Sequence, residues 1–214
     1  MQRIVNECAR VLFEGRFFVL NISPVLIKRN KVHKNSRRLA LPFDFHTLLT
    51  KAGFDFIDDI IWLKPEASSL NRGKNFYEYR NPLGYKTNII TEYVLVYRKH
   101  TEKPVTWLIQ NHPDKQAVAE SKVADGYEET NVWKITPAHN KKHPAVFPIA
   151  LAERVITYYS FKNDVVLDPF GGSGTTARAA ANLQRRFVTF EREAKYIELI
   201  KDRLNDAQYE SILQ

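Results

Sequence analysis

The sequence predicts an α/β fold with a largely parallel sheet, and two observations carry that prediction. From residue 164 onward a short apolar strand (Val165-Val166-Leu167), a Gly-rich turn, an Ala-rich helix (175–183), a second strand (186–191) and an amphipathic helix follow one another, which is a β-α-β-α unit. Upstream, helix-period segments alternate with apolar runs rich in β-branched and aromatic residues, at 54–63 and 89–97.

The elements follow in chain order. Residues 4–12 carry Ile4, Val5, Cys8, Ala9, Val11 and Leu12 near the i, i+3, i+4 spacing of a helix, which Gly15 ends. Arg16-Phe17-Phe18-Val19-Leu20-Asn21-Ile22 reads as a buried strand. The basic run Lys28, Arg29, Lys31, Lys34, Arg37 and Arg38 has no apolar period and is expected to be a solvated loop over 28–38. A helix is predicted at 43–52, stopped by Gly53, then a strand at 54–63, a polar turn-rich stretch at 66–88 and a strand at 89–97. Residues 100–140 have weak periodicity and scattered proline, and are expected to be an irregular insert. In the helix predicted at 148–159, Ile149, Leu151, Ala152, Val155, Ile156 and Tyr159 share one face. There is no internal repeat.

The 214 residues, 44% of them hydrophobic, are enough for one domain with a real core. Lys plus Arg outnumber Asp plus Glu by 32 to 24, a net charge of +8 that favours polyanionic partners. The single cysteine, Cys8, excludes an intrachain disulfide framework and a cysteine-based zinc site, and suits a reducing cytoplasm. No apolar run approaches the ~20 residues of a membrane span. The charges at Glu7, Arg10, Glu14 and Arg16 do not match a signal peptide's apolar stretch, so a cytoplasmic protein without a membrane partner is expected.

Gly172-Ser173-Gly174-Thr175-Thr176-Ala177 fits G-x-G-x-x-A, follows a strand and opens a helix, and Glu191 ends the next strand, where an acid meets ribose hydroxyls. No Lys follows Gly174, which argues against a Walker loop. Asp168 stands just before the turn, where a carboxylate repels a pyrophosphate. It favours a ligand with an ammonium and a cationic sulfur. S-adenosylmethionine (SAM) fits this better than a nicotinamide dinucleotide.

Asp168-Pro169-Phe170-Gly171-Gly172-Ser173-Gly174-Thr175-Thr176 resembles the SAM motif of DNA methyltransferases that modify exocyclic amines, N6 of adenine or N4 of cytosine. His143-Pro144-Ala145-Val146-Phe147-Pro148 resembles the segment upstream of that motif, and Ile60-Ile61-Trp62-Leu63-Lys64-Pro65 and Thr91-Glu92-Tyr93-Val94-Leu95-Val96-Tyr97 resemble strands of the catalytic half. The resemblance implies a Rossmann-like, SAM-dependent methyltransferase fold: a seven-stranded, mostly parallel sheet with one antiparallel strand. It implies methyl transfer to a base flipped out of double-stranded DNA. By resemblance, Asp168, Phe170, Gly172, Gly174 and Thr175 line the methionine and turn side, Glu191 takes the ribose hydroxyls, and Pro144 with Phe147 helps close the pocket. The single domain divides into a catalytic-half remnant (1–99), the insert (100–140), a possible target-recognition element by position, and a SAM-binding half (141–214).

The family's catalytic motif, Asp/Asn/Ser-Pro-Pro-Tyr/Phe, is absent, because no two of the ten prolines are adjacent. Its usual place is just before the helix that here begins near Ile4, so the sequence is expected to start after it and to lack the N-terminal strand that carries it. That strand lies mid-sheet in the family, between the strands at 165–167 and 17–20. The chain is then a C-terminal portion, one part of a split enzyme completed by a second chain, or a non-catalytic DNA- or partner-binding remnant. A nicotinamide-dependent oxidoreductase is the remaining alternative, and a cognate restriction enzyme is a possible partner. Lys28, Arg29, Lys31, Lys34, Arg37 and Arg38 are the expected phosphate contacts, and Arg72 and Lys74 lie in a stretch able to reach base edges.

Overall fold

The computed structural model describes residues 1–29, 31, 34–68, 78–138 and 147–204. In chain order, α1 (Gln2–Val11) leads into β1 (Phe17–Ile22), and β2 (Val25–Ile27) with β3 (Arg37–Leu39) forms a hairpin before α2 (Leu41–Lys51). The long strands β4 (Phe54–Leu63) and β5 (Thr91–Lys99) follow, then α3 (Val105–Gln110), α4 (Lys115–Glu120) and β6 (Val132–Lys134). The C-terminal half runs α5 (Ile149–Tyr159), β7 (Val165–Asp168), α6 (Thr175–Asn182), β8 (Arg186–Thr189) and α7 (Ala194–Arg203).

One sheet has the order β1-β5-β4-β6, in which β5 runs against its neighbours while β4 and β6 are parallel; β7 and β8 form a second, parallel pair. This is the expected α/β arrangement with one reversed strand. It is parted, however: the described residues place six strands in these two sheets rather than seven in one.

Helices cover both faces of the larger sheet. Phe17 and Val19 pack with Ile60, Trp62, Val94, Val96, Trp133 and Leu151 against α5, while Phe18, Leu20 and Ile22 pack with Val5, Leu49, Phe54, Leu95 and Tyr97 against α1 and α2. Each fully buried large side chain contributes about 1.5–3 kcal/mol. A β-bulge between Phe56 and Asp58 inserts one residue into β4. Phe54 therefore faces α2 while Ile60 and Trp62, also at even positions, face α5. Alanine keeps the contact between α5 and α6 close, with Ala152 and Ile156 against Ala179 and Ala180.

Two expectations need correction. Arg37 and Arg38 are not in a solvated loop but in β3, paired with Ile27 and Leu26, because the hairpin closes through backbone bonds that a basic composition does not reveal. The stretch expected to be irregular, 100–140, is not so over its described residues, 100–138: they include α3, α4 and β6 and place Ala117, Trp133 and Ile135 in the interior. The buried Trp62 Nε1–H donates to the Ile135 carbonyl at 2.8 Å, tying this segment to β4. Among the described residues, no helix is long and apolar enough to cross a membrane.

Candidate functional site

The turn between β7 and α6 is held by backbone bonds at both ends. Asp168 Oδ1 accepts the Phe170 N–H at 2.9 Å, the Gly171 N–H donates to the Phe190 carbonyl at 2.7 Å, and the Gly174 N–H donates to the Gly171 carbonyl at 2.8 Å. Gly174 has φ +77° and N-caps α6, a left-handed conformation in which a side chain is strained. Gly171 is required for space: a Cβ there would lie 2.3 Å from Thr189 Oγ1.

Glu191 closes the other side. Its Oε2 accepts the Gly172 N–H at 2.8 Å, and its Oε1 accepts the N–H groups of Arg192 and Glu193 at 2.8 and 2.9 Å. Two carboxylates, Asp168 and Glu191, thus flank one turn whose helix presents its first N–H groups without intrahelical partners. Such a set repels a pyrophosphate. It suits a ligand with an ammonium at one end and a hydroxyl pair at the other.

The remaining predicted residues divide. Phe170 is exposed beside the turn, and Asp168, Pro169, Phe170 and Phe147 line a cavity of about 400 Å³ that runs on between β1 and β7. Thr175 does not face this cavity: its side chain is buried and its Oγ1 accepts from Arg203 at 2.8 Å, so it fastens α7 to the turn. This corrects the expected lining role for the Thr175 side chain and leaves its backbone N–H at the helix start. Pro144, Arg72 and Lys74 lie outside the described residues. Arg203 and Thr189 were not foreseen, since neither sits in a motif; what places them is the packing of α7 and β8 against the turn.

The hairpin of β2 and β3 leaves the carboxyl end of β1 and returns into α2. In α/β sheets of this kind, ligands collect at the carboxyl ends of the parallel strands, and the turn follows the carboxyl end of β7. Lys28, Arg29, Lys31, Lys34 and Arg37 are exposed there, while Arg38 is partly buried.

The fold and the turn define a Rossmann-like protein with a candidate nucleoside-cofactor site. The family model described as DNA methylase, of the N6/N4 type, matches residues 1–202, and the chain belongs to that family. It is 31% identical over 212 residues to the Type II beta methyltransferase M.BslI of Bacillus sp. (strain NEB-606), covering 95% of this chain and 22% of that protein. It is 26% identical to the orphan methyltransferase M.BamHII of Bacillus amyloliquefaciens, covering 96% of this chain and 80% of that protein. Against the Type II methyltransferase M.MthZI of Methanothermobacter thermautotrophicus, at 27% identity, it spans 96% of its own length and 58% of the relative's. Among solved structures, the putative DNA modification methylase TTHA0409 of Thermus thermophilus, complexed with SAM, superposes with a TM-score of 0.69 at 27% identity, over 96% of this chain and 75% of that one.

Proposed function

We propose that this chain carries the SAM site and the DNA-facing hairpin of a methyltransferase acting on an exocyclic amine, N6 of adenine or N4 of cytosine, in double-stranded DNA. The observation that carries this reading is the pair of carboxylates, Asp168 and Glu191, at the two ends of one glycine turn. Asp168 holds the ammonium of the methionine part, and Glu191, already fixed by three backbone N–H groups, has one of its about four acceptor sites left, on Oε2, for a ribose hydroxyl. Phe147 and Phe170 supply apolar walls. Bound there, SAM supplies a methyl group on a cationic sulfur.

The exposed Lys28, Arg29, Lys31 and Lys34 contact phosphates without reading sequence, and the base is turned out of the stack to reach the cofactor. An exocyclic amine is a weak nucleophile, and acceptors must hold its N–H bonds to direct its lone pair. The family's Pro-Pro motif, which supplies them, is not in residues 1–214. That absence favours a second reading, in which this chain binds SAM and DNA but transfers no methyl group unless a motif-bearing segment or second chain completes it. A restriction enzyme reading the same DNA site is the partner expected in either case.

The test is nucleoside analysis of duplex DNA incubated with SAM and residues 1–214, alone and together with a polypeptide that carries an Asp/Asn/Ser-Pro-Pro-Tyr/Phe motif. N6-methyladenine or N4-methylcytosine in either form supports the first reading. Binding of SAM and DNA with no methylated base in either form supports the second.

A further inference from the structure

The basic hairpin and the loop that joins β4 to β5 leave the larger sheet at the same end. Ile22, the last residue of β1, pairs with Tyr93, and Leu63, the last residue of β4, pairs with Thr91, both at the start of β5. The Lys64 N–H donates to the Ile90 carbonyl at 2.7 Å and closes the base of the loop. Of its far part, residues 78–90 are described, and 84–90 contain neither helix nor strand. Seven such residues span up to about 25 Å, enough chain for a turn at 81–84 to stand clear of the sheet.

That turn, Asn81-Pro82-Leu83-Gly84, is closed by the Gly84 N–H, which donates to the Asn81 carbonyl at 3.2 Å. Proline fixes φ at about −65° and Leu83 has φ +66°, the pattern of a type II turn. Its third position ordinarily takes Gly or Asn, because a Cβ is strained in the left-handed region. Here a leucine takes it, and burial returns nothing for the strain, since Leu83 is fully exposed. A strained apolar side chain held out at a turn tip finds its use outside the chain.

The surroundings of the tip point to nucleic acid. Arg80 and Lys86 flank it, both exposed, and outnumber Glu78, the one acid between residues 78 and 88. Tyr79 and Tyr85 are exposed on either side. Cations placed for phosphates around an apolar tip of proline and leucine make the composition of a wedge that enters a base stack. A base turned out of a duplex leaves two bare stacking faces. Those faces are alike in kind for every sequence, so an aliphatic side chain covers them without reading bases.

We propose that the turn at 81–84 is a DNA wedge: Leu83, backed by Pro82, enters the base stack of duplex DNA and fills the place of a base that has turned out. The proposal rests on the DNA-facing reading of this chain and deepens it by naming the side chain that holds the duplex open. The test measures binding of residues 1–214, as parent and as Leu83→Gly, to two duplexes of one sequence, one intact and one with a single abasic site. Glycine adopts φ +66° freely, so this variant keeps the turn and loses the wedge. The parent is expected to prefer the abasic duplex by about tenfold, because no base has to be unstacked there. Leu83→Gly should lose that preference yet keep the parent's salt dependence, since no charge is removed, and Leu83→Met should retain the preference. Equal binding of both duplexes by the parent, or a preference kept by Leu83→Gly, overturns the wedge and leaves the DNA reading standing. No binding of either duplex at low salt overturns both. Self-association of the parent that Leu83→Gly abolishes, with no abasic preference, assigns the turn to a protein contact and overturns the proposal.

Discussion

The backbone N–H of Gly172 donates to Glu191 Oε2 at 2.8 Å, so the turn after β7 and the acid after β8 form one unit. Replacing Glu191 removes the acceptor proposed for a ribose hydroxyl and also leaves the N–H groups of Gly172, Arg192 and Glu193 without their partner. Glu191→Ala is expected to weaken SAM binding by about tenfold or more, since hydrogen bonds to a charged group contribute about 1.5–3 kcal/mol. Calorimetric titration of the variant checks this.

Gly171 is a matter of volume. Gly171→Ala puts a methyl 2.3 Å from Thr189 Oγ1, and the backbone on either side is held by the bonds to Phe190 and Gly174, so the turn has little room to yield. The expected cost is about 1–3 kcal/mol, the usual range for overpacking. Among the described residues Thr189 Oγ1 is buried without a hydrogen-bond partner, so Thr189→Ala removes the clash without breaking a bond seen there. The double variant should recover most of the loss in a urea denaturation series. No recovery would mean that the turn is not packed in this way.

How much of this was legible in the sequence depends on the range of the interaction that decides each element. The strand at 54–63 was placed at its observed bounds, because a stretch rich in Phe, Ile and Trp between Gly53 and Pro65 is a local signal. Its two faces were not legible: one extra residue after Phe56 turns Ile60 and Trp62 toward α5, and a bulge depends on the partner strand. The strand at 132–134 is three residues long, too short for alternation to show, and exists because β4 offers it an edge. At the site, Gly172, Gly174 and Glu191 were readable from spacing, whereas Arg203 reaches Thr175 across 28 positions through tertiary packing alone.

His100 gives a pH signature independent of function. Its ring Nδ1 lies 2.9 Å from Asp55 Oδ2, and this hydrogen bond and charge, aided by Glu102, raise its pKa above the ordinary 6.5. A raised folded-state value means that the pairing helps stability fully below pH 6.5, and that this help is lost as pH rises through the higher folded value. Titration of the His100 ring by NMR should show the upward shift, and Asp55→Asn should return it toward 6.5. An unshifted ring in the parent protein would contradict the pairing.

The basic hairpin is predicted to bind phosphates and not bases. Changing Lys28, Arg29, Lys31 and Lys34 to Gln together should weaken binding to any duplex at low salt. It should also flatten the dependence of log K on log salt by roughly 0.9 for each phosphate no longer neutralised. Sequence preference should be unchanged. Loss of that preference with an unchanged salt slope would place these residues at base edges instead.

The central claim is that the turn between β7 and α6, flanked by Asp168 and Glu191, takes SAM. The most direct measurement is a calorimetric titration of the protein with SAM and, separately, with NADH. The account predicts saturable binding of SAM, weakened by Glu191→Ala, and no comparable binding of NADH. NADH bound in preference to SAM, or SAM bound equally well by the Glu191→Ala variant, would contradict it.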